Sequence, residues 1–307
     1  MKNRDNIRQT ETKVNPLTSL NQKEYALLLR VFEPLVSKKL RYYTLQSTPR
    51  CHKSYRERSN SSLSGSARKL DFILMYMKEN PNQAYQGHCF GISQGKVSQW
   101  VRFLAPVLVE ALAQMKVMPQ RGDCFKSKER QPESDYLALD VIERAVTRST
   151  DYATQQEFYS GKHKKHTVKN LAVSTAQGYV LFLSDSYEGK KHDKAIFDEL
   201  HITETEEDLL ADLGFWGADK TQANIVLPFK KPIGAELRQN LKIINQFIAR
   251  ARVIVEHAFA GIKRLKIIRN KIRLKGWSIK DQMMDIATAL HNLRVLNRQI
   301  KPIQNQT

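Results

Sequence analysis

Apolar positions recur at helical spacing in the first third of the chain and then switch to short, strand-like runs. From Asn21 onward Tyr25, Leu28, Leu29 and Phe32 share one helical face, with Pro34 expected to interrupt it. Residues 1–20 are polar and expected to be loose, and Arg41–Ser66 reads as a basic, Ser-rich linker or arm. The period returns with Leu70, Ile73, Leu74 and Met77, stopped by Asn80-Pro81. A short helix is expected around Gln83–Cys89. Phe90-Gly91-Ile92-Ser93 then reads as a turn with an N-cap, opening a helix that carries Val97, Trp100, Val101 and Leu104.

Helix, helix, Gly-containing turn and helix is the order of a helix-turn-helix. On that reading Gln94, Lys96, Ser98, Gln99 and Arg102 lie off the apolar stripe of the recognition helix, with side chains that bond bases and phosphates. A plain three-helix cluster with a polar face is the alternative.

From about Ser134 the pattern becomes that of strands. Tyr136–Leu139 is short and apolar, and Val168–Ser174 and Tyr179–Ser184 flank the hairpin turn Thr175-Ala176-Gln177-Gly178. Lys194–Leu200 reads as a helix, Asp208–Asp212 and Asn224–Phe229 as strands, and Pro232–Leu274 and Ser278–Arg298 as long helices. Strands with a helix among them, followed by helices, indicate an α/β or α+β core with a helical cap.

Charge adds a partner. Fifty Lys and Arg stand against 31 Asp and Glu, a net charge of +19, and such an excess draws polyanions, nucleic acid first. No apolar run approaches the roughly 20 residues of a spanning helix, and Met1–Asn6 leads into no signal-peptide core, so no membrane partner is expected. Three distant cysteines (Cys51, Cys89, Cys124) indicate a reducing compartment; Cys51-His52 and His88-Cys89 lack the C-x-x-C pair of a zinc site.

Three acids occupy unlike settings. Asp140 closes the run Tyr136–Leu139, Asp212 ends Leu209-Leu210-Ala211, and Glu256 is the one acid among nine Lys and Arg between Arg250 and Lys275. Two strand-end aspartates and a helical glutamate are the oxygen donors with which a protein holds two divalent cations over a phosphodiester. Each aspartate alone is also what a turn or helix cap uses, and Glu256 could simply pair with Arg252 one turn away. Arg252, Glu256 and Lys263 share one helical face. The run Lys162-His163-Lys164-Lys165 enters a strand expected near Asp140, which favours a DNA-facing role for Lys162, Lys164 and Lys165 over a solvated loop. In Gly189-Lys190-Lys191-His192-Asp193, Asp193 is read as a helix cap in preference to a metal ligand.

The ordered segments ALDVIE, EFYSGKHKKHTVK, YEGKKHD, LLADLGFWG and RARVIVEHAFAGIKRLKII together resemble a bacterial insertion-sequence transposase of the DDE superfamily, in the Harbinger-related branch. Residues 68–112 resemble the helix-turn-helix domain of that group. The resemblance implies a polar arm over 1–67, a DNA-binding domain over 68–125 and a ribonuclease-H-like catalytic domain over 134–298, a mixed sheet with helices on both sides. It implies Asp140, Asp212 and Glu256 as catalytic metal ligands for two Mg²⁺ ions, with Mn²⁺ as a substitute. It implies hydrolysis at the terminal inverted repeats of an element, then attack of the freed 3′-OH on target DNA. One ion would activate the nucleophile and the other would stabilise the leaving oxygen. Double-stranded DNA, a dimer or higher oligomer upon it, and a cytoplasmic, nucleoid-associated location follow.

Members of the family often carry Arg-Pro after the first Asp, where this chain reads Glu143-Arg144-Ala145-Val146. Lys190-Lys191 replaces a small residue before His192. Neither change touches the three acids, so an intact site is expected. The rival functions are a metal-dependent nuclease that cuts without joining, and an inactive or domesticated DNA-binding protein. Binding through six to ten phosphates should fall by about 10³–10⁵ between 50 and 200 mM salt, measured by fluorescence anisotropy on duplex DNA; a flat response would remove the electrostatic basis of this reading.

Overall fold

The computed structural model describes residues 14–52, 55–58, 60–122, 124–126, 134–204, 207–220, 224–271, 273–274 and 276–299. Most of residues 1–20, together with the tail after Ile300, therefore lies outside the described residues. The chain forms two compact units. One draws on Met1–Met118, Lys263–Asn270 and Leu274–Thr307, the other on Pro119–Ile262 and Lys271–Arg273. No helix among the described residues is long and apolar enough to cross a membrane.

The first unit is helical. Helix α1 (Gln22–Tyr42) starts in a reciprocal cap, Asn21 Oδ1 accepting from Glu24 N–H (2.8 Å) and Glu24 Oε2 from Asn21 N–H (2.9 Å). The expected break at Pro34 does not occur. Leu28, Phe32, Val36 and Leu40 are all buried, and this continuous stripe holds the helix together across the one hydrogen bond a proline removes. The described part of the loose N-terminal segment is ordered too: Asn15 N–H donates to Leu20 O (2.8 Å), with Leu20 buried. The expected linker Arg41–Ser66 is likewise tied down, by a small hairpin at Tyr43–Arg50 and by Glu57, which pairs with the buried Lys69.

Helix α2 (Ser66–Glu79) stops where Asn80 turns left-handed (φ 46°) before Pro81. Helix α3 (Gln83–Phe90) follows its N-cap Asn82, and α4 (Gln94–Gln114) follows Ser93, whose hydroxyl accepts from Lys96 N–H. Between α3 and α4, Gly91 takes φ 65° and Ile92 N–H returns to Gly87 O at 2.9 Å. The turn is so tight that a Cβ on Gly87 would stand 2.4 Å from Ile92 O, a backbone atom with little freedom to move. Near the C-terminus, α8 (Lys266–Arg269) packs on α2 and α9 (Trp277–Gln299) on α4, with Asn292 Nδ2 donating to Val117 O at 3.0 Å. The last helix of the span 134–298 thus packs in the helical unit.

The second unit is an α/β layer built on a mixed sheet that has seven strands among the described residues. Its strands are β2 (Tyr136–Ala145), β3 (Tyr159–Ser160), β4 (Lys165–Thr175), β5 (Val180–Leu183), β6 (Tyr187–Glu188), β8 (Asp208–Leu210) and β9 (Ile225–Val226). The short β1 (Cys124–Lys126) and β7 (His201–Glu204) form a separate parallel pair. Strand β4 runs antiparallel between β5 and β2, and β2, β8 and β9 run parallel to one another. Gly178 (φ 80°) closes the expected hairpin.

Strand β2 does not end at Leu139. Its ladder with β4 pairs nine successive residues, from Leu137 opposite Thr175 to Ala145 opposite Thr167. The polar residues past Asp140 are accommodated within it. Buried Arg144 donates to Asn170 Oδ1 (2.6 Å) and Ser186 Oγ (2.8 Å), and Glu143 meets His163 Nε2 (3.1 Å). The expected strands 208–212 and 224–229 shorten to Asp208–Leu210 and Ile225–Val226. The expected helix from Pro232 begins only at Gln239, as α7 (Gln239–Lys263). Helices α5 (Tyr152–Phe158) and α6 (Asp193–Glu199) pack on β4.

Replacing Gly87 with Ala should destabilise the helical unit by about 1–3 kcal/mol, since the tight turn must open to admit the methyl. Gly95→Ala is the control, because nothing lies within 4 Å of its would-be Cβ. Thermal unfolding followed by circular dichroism separates the two; equal melting temperatures would contradict the close approach.

Candidate active site

The placement of the two aspartates follows from strand register. Strands β2 and β8 run parallel with Tyr136 opposite Asp208, Leu137 opposite Leu209 and Ala138 opposite Leu210. Two residues further along each chain come Asp140 and Asp212. They share the same parity on neighbouring strands about 4.8 Å apart, so both carboxylates leave the same face. Ala211 N–H still bonds Val226 O at 3.1 Å, so the chain stays extended almost to Asp212. Asp212 then caps the 3₁₀ turn Leu213–Phe215, its Oδ1 accepting from Gly214 N–H at 2.7 Å. Asp140 lies inside its strand rather than at the end, and its Oδ1 accepts from Val141 N–H at 2.7 Å.

A third carboxylate joins them. Asp193 was expected to cap α6, but His192 holds the N-cap position and Asp193 is the first helical residue. Its Oδ1 pairs with Lys169 Nζ at 3.0 Å, and Lys169 also donates to Lys191 O at 2.7 Å. Gly214 lies between the carboxylates: a Cβ there would stand 2.8 Å from Asp212 Oδ1 and 3.5 Å from Asp193 Oδ2. Lys169 was not anticipated from the sequence. A lysine inside the largely apolar strand segment Val168–Val173, which also carries Asn170, was the available signal, since a charge there needs a partner.

Burial pushes the Asp140 carboxyl up to about 6, and the nearby Asp212 and Asp193 charges add to the rise. The Val141 N–H and the Arg252 guanidinium oppose it. Arg252 comes from α7 and approaches Asp212 Oδ2 at 3.9 Å. The helix is anchored there by Tyr136, whose hydroxyl donates to Ala251 O at 3.3 Å.

Glu256 lies one helical turn, about 6 Å, beyond Arg252 on the same face. It is exposed and makes no hydrogen bond or ion pair among the described residues. Arg252 turns to Asp212 rather than to Glu256, so the i,i+4 pair that was the alternative reading of Glu256 does not form. Among the described residues no three His, Cys, Asp or Glu side chains are gathered closely enough to hold one ion. Asp140 and Asp212 nonetheless fit a hard divalent cation: two adjacent carboxylates, one of them costly to ionise without a positive charge beside it.

The remaining site residues lie elsewhere. Lys162, Lys164 and Lys165 are exposed at the β3–β4 turn, with Lys164 left-handed (φ 51°). Thr167 pairs with Ala145 whereas Ala172 pairs with Asp140. Lys165 therefore stands about 23 Å along the strand from Asp140, at roughly 3.3 Å per residue. Lys263 closes α7. Gln94, Lys96, Ser98, Gln99 and Arg102 lie on α4 in the helical unit.

The model of the DDE superfamily endonuclease family matches residues 139–292. The chain is 25% identical over 202 residues to a protein of Microchaete diplosiphon named probable transposase for insertion sequence element IS702, an alignment covering 66% of this chain and 71% of that one. No solved structure matches the chain.

The raised Asp140 carboxyl has a consequence for stability. Between its ordinary 3.8 and about 6, the folded chain keeps a proton that the unfolded chain has released, so this group costs stability as pH rises through that window. Asp140→Asn should therefore raise the unfolding free energy at pH 7–8 without divalent metal by at most about 3 kcal/mol, and the melting temperature with it, and the gain should vanish below about pH 4. Calorimetric melts at the two pH values decide the point; a mutant less stable at pH 8 would contradict it.

Proposed function

The chain belongs to the DDE superfamily endonuclease family, and on that premise we propose that it is an insertion-sequence transposase. It binds the terminal inverted repeats of its element, hydrolyses the DNA at those ends and joins the freed 3′-OH to target DNA. The observation that carries this reading is the parallel register of β2 and β8, which sets Asp140 beside Asp212. Reckoned in chain order, β2, β4, β5, β8 and β9 lie in the spatial order third, second, first, fourth, fifth. This order supports reading the sheet as ribonuclease-H-like, with Asp140 on its first strand and Asp212 two residues past the end of its fourth.

The catalytic assignment is Asp140, Asp212 and Glu256. Asp140 and Asp212 would hold Mg²⁺, or Mn²⁺ in its place, and Glu256 on α7 would complete the ligand set once cation and DNA are bound. When bound, the divalent cations supply Lewis acidity toward the phosphodiester oxygens. In the first step a water oxygen bonds to phosphorus and the P–O3′ bond breaks, leaving a 3′-OH and a 5′-phosphate. In the second, the 3′ oxygen bonds to a target phosphorus and the target's own 3′ oxygen departs. The number of phosphodiester bonds is conserved in that transfer, so no external energy source is required. Arg252 and Lys263 bind phosphates flanking the scissile bond. The β3–β4 lysines, Lys162, Lys164 and Lys165, lie too far along β4 for the reacting phosphate and contact DNA outside it.

In the helical unit α3, the Gly91 turn and α4 act as a helix-turn-helix. Gln94, Lys96, Ser98, Gln99 and Arg102 face the end sequence. Pairing two ends implies a dimer or larger assembly on the DNA.

The test is cleavage of a supercoiled plasmid bearing the gene's own flanking DNA, with Mg²⁺. Cuts at matched ends should appear with the native chain. They should fall by at least about 10²-fold in Asp140→Ala, Asp212→Ala and Glu256→Ala, since loss even of groups behind a metal ligand costs 10–100-fold. Cleavage without joined product would reduce the reading to an endonuclease. Specific binding with no cutting would leave a DNA-binding protein.

A further inference from the structure

The hairpin turn Tyr43–Arg50 stands out as a structured element without a role in the core. Thr44 N–H donates to Thr48 O and Ser47 N–H to Thr44 O, each at 2.9 Å, and the Thr44 and Thr48 hydroxyls bond at 2.6 Å. Arg50 locks its base: Nε donates to Leu40 O (2.9 Å) and Tyr43 O (3.0 Å), and the guanidinium stacks 4.1 Å over the Tyr55 ring. Ser47 is held left-handed at φ 62°. Gln46, Ser47 and Thr48 at the tip are nevertheless exposed. This many bonds spent on a tip that buries nothing calls for a contact outside the chain.

That tip forms one wall of a groove of about 530 Å³. Leu45, Gln46 and Ser47 line one side; Gln94, Ser98, Gln99 and Arg102 on α4 line the other. Most of the lining side chains carry a polar group, and Arg102 supplies the one cation among them. Gln99 Oε1 is buried there with no hydrogen-bond partner, an acceptor awaiting a donor. Arg102 is exposed and makes no ion pair among the described residues. The first turn of α4 carries no acid that would repel an anion. A ligand that fits offers N–H donors toward Gln99 and negative charge toward Arg102 and the tip. Duplex DNA does both, since adenine N6 and cytosine N4 amines present donors in the major groove between two rows of phosphates.

We infer that the Tyr43–Arg50 turn is a second DNA-contacting element, gripping the phosphate backbone alongside α4 while Gln99 accepts from a base. This inference rests on the reading of α4 as the DNA-reading helix. A turn fixed in advance loses little entropy on binding, which explains why its geometry is tied so firmly at Arg50.

The experiment uses the full chain and a duplex of the DNA flanking its own gene, with binding measured by fluorescence anisotropy across a salt series. Gln46→Lys should tighten binding by about three- to tenfold at low salt and steepen the slope of log K against log salt by about 0.9, one added phosphate contact. Gln46→Glu should weaken binding by a similar factor, and neither should change the melting temperature, because Gln46 is exposed. Arg102→Ala is the reference for α4. If it weakens binding while both Gln46 variants bind as the native chain does, the turn is not a DNA contact and the reading of α4 stands. If Arg102→Ala also binds as the native chain does, the reading of α4 fails and the turn falls with it.

Discussion

Two carboxylates on adjacent parallel strands repel each other, and burying one of them makes that repulsion expensive. The second unit is organised around this arrangement. Ala138 opposite Leu210 dictates that Asp140 and Asp212 stand side by side, and the ladder of β2 with β4 leaves Asp140 no freedom to turn away. The surroundings offset part of the cost. Val141 and Gly214 N–H groups each donate to an aspartate, Lys169 neutralises Asp193, and Arg252 supplies the positive charge nearest Asp212. A protein gaining only stability would not keep such a cluster, because an apolar pair of the same volume would pack at lower cost. On the function proposed above, a divalent cation beside the pair would offset that repulsion.

The helical unit solves a different problem, that of presenting a polar helix face rigidly. Close backbone approach at Gly87 and the left-handed Gly91 fix the angle between α3 and α4. The apolar side of α4, from Val97 to Leu112, is buried, leaving Gln94, Gln99 and Arg102 on the polar side. Buried Lys69, tied to Glu57, Leu63 O and Gly65 O, anchors the segment before α2. Much of what reads as basic linker in the sequence is in fact fastened to the helices by such polar contacts.

Most elements were legible, with errors of a consistent kind. The helix start at Ser93 was readable because capping is local chemistry between residues two or three apart, whereas the cap of α6 was misassigned to Asp193 when His192 holds it. Pro34 misled, since the loss of one hydrogen bond is visible in sequence while the packing that outweighs it is not. Strand β2 was cut short at Leu139 because Glu143 and Arg144 look like surface residues. They lie in a ladder because Thr167, Asn170 and Ser186 come from elsewhere in the chain to meet them. Lys169 was missed for the same reason: its partner Asp193 is 24 residues away.

By itself the sequence determined the helical and strand periods, the Ser93 cap, the excess of positive charge and the identity of the acids, all of which depend on side-chain chemistry or on neighbours within a turn. It also carried, through ordered segments, membership of a family. Tertiary structure alone decided which acids meet. Asp140 and Asp212 are 72 residues apart, and only strand register makes them neighbours; Asp193 joins them because α6 begins beside Gly214. It also decided that the lysines of the β3–β4 turn stand far along the strand from Asp140, and that a turn at residues 43–50 shares a groove with α4. Register and packing are relations between distant segments, settled by the burial of whole faces at once, and no local pattern encodes them.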